Sequence, residues 1–265
     1  MAVVLRERLI LLLQQACWVL IHLATHPEWK AKCRKEIQDL IARHVGDSPS
    51  TATLYDKLAS IPLSAWEDGL PALDACIRES QRITVSAVVL RRNLRQEMKI
   101  NGQVVKWGDF LAYPLADVHL NPEYYPEPYK YDPGRWLRPD PALDTAYPFL
   151  GWGAGRHPCA GMRVAKLEMK LILAVFLTRY EFDLVDEDGK FPDPLPVPDR
   201  NNIHQVRVGL RMRYPIWMLM FSSLALLEPR PTSTSRSLSS RRAVTRSPIK
   251  FHPTPLRFST YQIYL

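Results

Sequence analysis

Residues 121–148 read NPEYYPEPYKYDPGRWLRPDPALDTAYP and hold seven of the chain's 23 prolines. Each proline fixes φ and removes a backbone donor, so neither a helix interior nor a central strand can run through this stretch. It has no regular apolar period. At 28 residues it is longer than a compact domain usually leaves without secondary structure, and a loop of that length is more often functional than idle. The regular elements must therefore lie on either side, with this segment laid over them. No period of ~20–50 residues recurs along the chain, which excludes a solenoid.

The flanks are of two kinds. Residues 4–24 show dense apolar helix periodicity, and Thr25 followed by Glu28 has the spacing of a capping box, with Pro27 suited to the first turn of a new helix. That second helix, through Ala42, is amphipathic, with Trp29, Cys33, Ile37 and Leu40–Ile41 on one face and charges on the other. After the polar HVGDSPST come a short helix near Leu54–Ala59 and a longer one, Leu70–Arg82, with Leu73, Cys76 and Ile77 in i, i+3, i+4 relation. From Val85 the pattern changes to short β-rich runs divided by Asn101–Gly102 and Trp107–Gly108–Asp109, which predicts a small sheet. Beyond the proline-rich stretch, Met162–Tyr180 is a helix, apolar on all sides between Leu171 and Leu177 and so expected to be buried, and GLRMRY at 209–214 reads as a strand. The fold class is mainly α with a small β subdomain, an α+β chain.

The net charge of +8 is uneven: residues 219–265 carry seven basic residues against the single acid Glu228, hence +6 of the total. That tail is rich in Ser, Thr and Pro (PTSTSRSLSSRR), cannot bury enough apolar surface to fold alone, and is expected to be disordered. With the basic excess confined there, nucleic-acid binding is not expected. The four cysteines, Cys17, Cys33, Cys76 and Cys159, show no CxxC and no histidine at zinc-finger spacing, so a disulfide framework or structural zinc site is not expected and the chain reads as intracellular. Residues 9–25 approach a bilayer-spanning length, but Gln14, Gln15 and His22 interrupt them, which favours a buried core helix.

The chemistry concentrates in GWGAGRHPCAGMRVAKLE, residues 151–168. Cysteine ligates as the thiolate, and a helix N-terminus stabilises that anion with its unpaired N–H groups. Cys159 stands just before the helix that begins near Met162. Gly151, Gly153 and Gly155 let the backbone fold tightly and approach a flat ligand, Pro158 fixes φ before the sulfur, and Arg156 and His157 can pair with carboxylates. These residues alone fit two readings equally. One is a thiolate on a metal whose other ligands come from a planar cofactor; the other is a structural Cys on a glycine loop.

Trp152–Gly161, WGAGRHPCAG, resembles the haem loop of the cytochrome P450 family, usually F-G-x-G-x-R-x-C-x-G. Trp152 stands where Phe is usual and His157 where Arg is usual, the latter similar to the sterol 14-demethylase branch and its fungal relatives. Glu79–Ser80–Gln81–Arg82 is similar to E-x-x-R of the family's K helix, and Tyr131–Asp132–Pro133–Gly134–Arg135–Trp136 resembles the F-x-P-x-R-W of its meander. E-x-x-R alone carries no information; three motifs in this order and spacing are specific for the superfamily.

The resemblance implies the C-terminal half of the P450 fold over residues 16–214, hence a domain over 1–218 running from the end of the I helix to the C-terminal sheet, followed by the 219–265 tail. It implies haem, iron protoporphyrin IX, with Cys159 as the axial iron ligand and Trp152, Arg156 and His157 against the cofactor, His157 on a propionate. Glu79, Arg82 and Arg135 would form a structural triad; on that reading, loss of Arg135 would leave a buried Glu79 short of a partner at a cost of about 3–5 kcal/mol. The activity implied is a haem-thiolate monooxygenase, hydroxylating or demethylating an apolar, sterol-like or other lipid substrate with O2 and electrons from NADPH–cytochrome P450 reductase, at the endoplasmic reticulum membrane. The alternative is a noncatalytic fragment, a haem-binding or structural remnant. Where the family has an acidic–Thr pair for oxygen activation, this chain reads LLLQQACW, and the N-terminal membrane anchor is not among its residues. His26, His119 and His204 are expected to be structural, and Cys17, Cys33 and Cys76 inert core thiols.

Overall fold

A computed structural model describes residues 2–45, 52–141, 143, 147–186, 188–198, 209–212 and 261–264. Helix α1, Ala2–Thr25, contains neither Gly nor Pro and stops as the chain meets Pro27. The expected capping box at Thr25 does not form. The Thr25 hydroxyl instead donates back to the carbonyls of Ile21 (3.3 Å) and His22 (3.0 Å), so Thr25 closes α1 rather than opening α2. Helix α2, Pro27–Val45, takes Pro27 in its first turn, and the His26 carbonyl accepts from Trp29 and Lys30.

Helix α3, Leu54–Ser60, is capped by Thr53 and Asp56 in a reciprocal box. A short helix α4, Leu63–Asp68, follows, which the sequence pattern did not separate from its surroundings. Helix α5, Pro71–Thr84, has no local side-chain cap. The Glu36 carboxylate of α2 fills that role from outside, accepting the backbone N–H of Ala72 (2.8 Å) and Leu73 (3.1 Å). The buried Lys170 does the converse for α4. Its ammonium donates to the carbonyls of Trp66 (2.7 Å) and Glu67 (3.0 Å) and pairs with Asp74 (2.7 Å).

The β subdomain is two antiparallel ribbons. Strand β1, Val88–Arg92, pairs with β4, Phe110–Pro114, with Arg92 opposite Phe110. Between them β2, Met98–Ile100, and β3, Gln103–Val105, form a hairpin across the Asn101–Gly102 turn. Helix α6, Leu115–His119, leads into the proline-rich segment, whose one helical turn among the described residues is a 3₁₀ helix at Pro133–Trp136.

Helix α7, Met162–Arg179, packs on α1 and α2, and α5 packs on the same two helices, around a core that includes Val19, Leu23, Ile37, Leu40, Leu73 and Leu177. Burial of α7 is one-sided, against the all-round burial its composition predicts. Leu173, Ala174 and Leu177 are inside, whereas Leu171, Ile172, Val175 and Phe176 are only partly covered, because the helices packed on it lie on one side. Strand β5, Phe182–Val185, pairs with β6, Gly209–Met212, and β6 with β7, Tyr261–Tyr264. Within the 219–265 tail, Tyr261–Tyr264 are the described residues; the rest lies outside them. Among the described residues no helix is long and apolar enough to cross a membrane.

Candidate functional site

Glu79 on α5 is fully buried and is the centre of a network. One turn along the same helix, Arg82 meets it with two bonds, Nε to Oε2 (2.9 Å) and Nη2 to Oε1 (2.8 Å). From the proline-rich segment, Arg135 Nε (3.0 Å) and the Asp132 N–H (3.1 Å) reach Oε1, and Trp136 Nε1 reaches Oε2 (2.9 Å). The remaining N–H groups of Arg82 donate to the carbonyls of His119, Pro128 and Lys130. One carboxylate and two guanidiniums thus pin α5 to a segment that cannot form its own backbone ladder. Tyr125, buried beneath Arg82, carries the connection onward, its hydroxyl donating to the Pro148 carbonyl (2.6 Å). Arg78 lies over the rings of Trp136 (3.9 Å) and Phe149 (4.9 Å), and burial lowers its pKa.

The loop expected to bear the cofactor begins where this scaffold ends. His119 Nε2 accepts the Leu150 N–H (2.9 Å), and its ring stacks on Phe149. The Gly153 N–H then bonds the Leu150 carbonyl (2.9 Å), and the Cys159 N–H returns to the Trp152 carbonyl (2.7 Å), closing the loop on itself. Gly153 and Gly155 have φ of +74° and +71°, a left-handed backbone that any Cβ would strain. Trp152 is half-buried against the core and anchors the base of the loop. Arg156, His157 and Cys159 are exposed on the same turn, three residues ahead of α7, whose N-cap Gly161 supplies no side-chain cap. Beside the loop lies a cleft of about 480 Å³ whose lining includes Arg78, Trp136, Phe149, Trp152, Met162 and Lys166.

These residues fit a haem. A Cβ built on Gly155 or Gly161 would meet nothing within 4 Å, so the loop leaves open space at these two glycines, and Cys159 between them in sequence is exposed. Among the described residues no group of three or more His, Cys, Asp or Glu side chains could hold a metal ion. One soft sulfur beside Arg156 and His157 suits a metal that arrives with its own ring of ligands and an anionic edge.

The other singled-out residues lie elsewhere. His26 packs on Tyr131 and bonds the His22 carbonyl, His119 is used by the scaffold, and His204 lies outside the described residues. Burial, reinforced by the His26 and Arg82 charges, lowers the His22 pKa to about 3. Cys17 is half-buried and burial raises its pKa to about 11. Cys33 and Cys76, far apart in sequence, lie 3.6 Å apart sulfur to sulfur, and their hydrogen bond together with burial pushes the Cys33 thiol up. Sequence reasoning missed Trp136 and the Asp132 N–H as donors to Glu79, His119 as the link to the loop, and Glu36 and Lys170 as caps. Only Trp136 had a local signal, its place beside Arg135.

The family description for cytochrome P450 matches residues 15–205. A cytochrome P450 monooxygenase of Aspergillus aculeatus is 42% identical over 172 residues, covering 63% of this chain and 34% of its own length. A cytochrome P450 monooxygenase of Pseudocercospora fijiensis is 37% identical over 196 residues, covering 72% of this chain and 39% of its own. Human cytochrome P450 4F2 is 32% identical over 62% of this chain and 29% of its own length. The chain thus spans about a third of the length of these curated relatives. A zebrafish cytochrome P450 solved with abiraterone has the same fold over 68% of this chain and 39% of its own, with a TM-score of 0.51 at 23% identity. With the sequence match running through α1, the Glu79 network and the Cys159 loop, the chain belongs to the cytochrome P450 family.

Proposed function

We propose that this chain carries the haem-binding core of a haem-thiolate monooxygenase, with Cys159 as the axial ligand to iron. The observation that supports this most is the exposed Cys159 on a self-closed glycine turn that also exposes Arg156 and His157. Bound there, haem would supply the one-electron and oxygen chemistry of the reaction. The chain's own residues hold it. Cys159 would ligate the iron and Arg156 and His157 would pair with the haem carboxylates, while Trp152 fixes the turn against the core. Glu79, Arg82 and Arg135 act at a distance, keeping the proline-rich segment and the start of the loop in place. An apolar substrate, sterol-like or another lipid, electrons from NADPH–cytochrome P450 reductase, and an endoplasmic reticulum location belong to the same proposal.

A second reading, a noncatalytic scaffold, has one observation in its favour. Where the resemblance sets an acidic–Thr pair, α1 offers Gln14 and Gln15, and the Gln15 carboxamide accepts the Thr84 hydroxyl (3.1 Å), fastening α1 to α5. Reconstitution with haem tests the first reading. The full chain should retain haem stoichiometrically through gel filtration, and its ferrous CO complex should show a thiolate-type Soret shift that Cys159→Ser abolishes. Failure to retain haem, or an unchanged spectrum in the variant, would overturn it. Retention without turnover of any apolar substrate in the presence of reductase and NADPH would select the scaffold.

A further inference from the structure

Cys33 on α2 and Cys76 on α5 are both fully buried in the core, and their sulfurs lie 3.6 Å apart. They stand 43 positions apart in sequence, so the pair exists only once the two helices have packed. Two separate contacts set that packing. One turn along α2 from Cys33, the Glu36 carboxylate accepts the N–H groups of Ala72 and Leu73 at the start of α5, fixing the register of one helix on the other. From the proline-rich segment, the buried Tyr131 donates its hydroxyl to the Cys76 carbonyl (3.2 Å) and stacks on His22 of α1.

The S–S bond of a disulfide is ~2.05 Å, so the two sulfurs need to approach by about 1.5 Å, which small side-chain rotations supply. In the reduced protein the thiols are quiet. A thiol reacts as its thiolate, and burial together with the hydrogen bond between the sulfurs pushes the Cys33 thiol up. Reaction therefore awaits a local opening of the helix pair that admits a small oxidant. The sulfenic acid formed then has a second sulfur as its nearest nucleophile.

We infer that Cys33 and Cys76 are a redox modification site, oxidised by hydrogen peroxide to an intrachain disulfide that staples α2 to α5. One sulfur, as thiolate, attacks a peroxide oxygen; the O–O bond breaks, a sulfenic acid forms, and the departing hydroxide takes up the thiol proton as water. The second sulfur attacks the first, the S–O bond breaks, and a second water leaves with the other thiol proton as the S–S bond forms. Two thiols are oxidised and one peroxide is reduced to two waters; excess dithiol reverses the bond. The site involves neither Cys159 nor haem, so its test is independent of the proposed function.

The full chain carrying Cys17→Ser and Cys159→Ser leaves only this pair, and circular dichroism verifies its fold. After peroxide, the protein is denatured, alkylated with iodoacetamide and weighed by mass spectrometry. It should be a monomer two hydrogens lighter that takes up no label, takes up two after dithiothreitol, and melts roughly 10 °C above the reduced protein because the closed loop constrains the unfolded chain. Adding Cys33→Ser should abolish both the mass change and the melting shift. Peptide mapping of the unsubstituted chain should find the same 33–76 link, which keeps the test open if the variants fold poorly. Two labels after peroxide, a sulfinic or sulfonic acid at either position, or a disulfide-linked dimer would overturn the inference. So would a 33–76 bond that leaves the melting temperature unchanged or lowers it, because the sulfurs would then not be placed to bond within the native fold.

Discussion

Replacing Glu79 tests whether the network is a charge balance or a set of interchangeable contacts. The carboxylate accepts five donors, and two of its partners are guanidiniums, one completely buried and one 7% exposed. Glu79→Gln keeps the shape but removes the anion and turns an N–H₂ group toward N–H donors. Two buried cations then have no counter-charge, and breaking a buried pair in this way costs about 3–5 kcal/mol. Arg135→Ala is the opposite case. Glu79 keeps both Arg82 bonds, the Asp132 N–H and Trp136, so the loss is that of one charge-assisted hydrogen bond, about 1.5–3 kcal/mol. This revises the larger cost that the sequence motif implies for Arg135, because the motif does not reveal the other donors. At about 2–4 °C per kcal/mol for a domain of this size, Glu79→Gln should melt roughly 10 °C lower and Arg135→Ala roughly half as far. Thermal unfolding followed by circular dichroism reads both. Equal losses, or a Glu79→Gln protein that melts with wild type, would show that charge balance does not hold the network together.

His119 makes stability depend on pH. Burial first, and the Arg82 charge second, lower its pKa from 6.5 to about 4. The unfolded chain therefore binds a proton that the folded chain refuses between those values. The stabilising contribution is complete above pH 6.5 and is lost as pH falls toward 4, by about 3 kcal/mol for this residue alone. Denaturant midpoints measured across that window should fall with acid, and His119→Gln, whose amide oxygen can still accept the Leu150 N–H, should flatten the decline; an unchanged slope would contradict the assignment. Glu36→Ala should remove the cap on α5 and cost about 1–2 kcal/mol in urea unfolding, an effect absent if Ala72 and Leu73 donate elsewhere.

Much of this was legible in the sequence because it is local. The apolar period of α1, α2 and α7, the turn at Asn101–Gly102 and the two residues of E-x-x-R on one helix face need no knowledge of distant neighbours. Thr25 shows the limit of local reading, since its spacing from Glu28 suits a cap but its hydroxyl bonds the preceding turn. Glu36 and Lys170 lie beyond any such reading, for each serves a helix end that adjoins it only after the helices have packed. The proline-rich segment was recognisable as irregular, but not as fixed. Arg82 holds it, with donors that satisfy the carbonyls of Pro128 and Lys130, and that requires α5 and this segment to have met. Cys159 was legible for a different reason: its setting of glycines, cations and a helix start is contiguous, and only its accessibility had to come from the structure.

The proposed function rests on a bond between the sulfur of Cys159 and haem iron. Iron-edge X-ray absorption on the chain reconstituted with haem observes that bond itself. Wild type should show a single sulfur scatterer in the first coordination sphere, and it should vanish in Cys159→Ser. A first sphere of nitrogen and oxygen alone in wild type, or a sulfur that persists in the variant, would contradict the assignment.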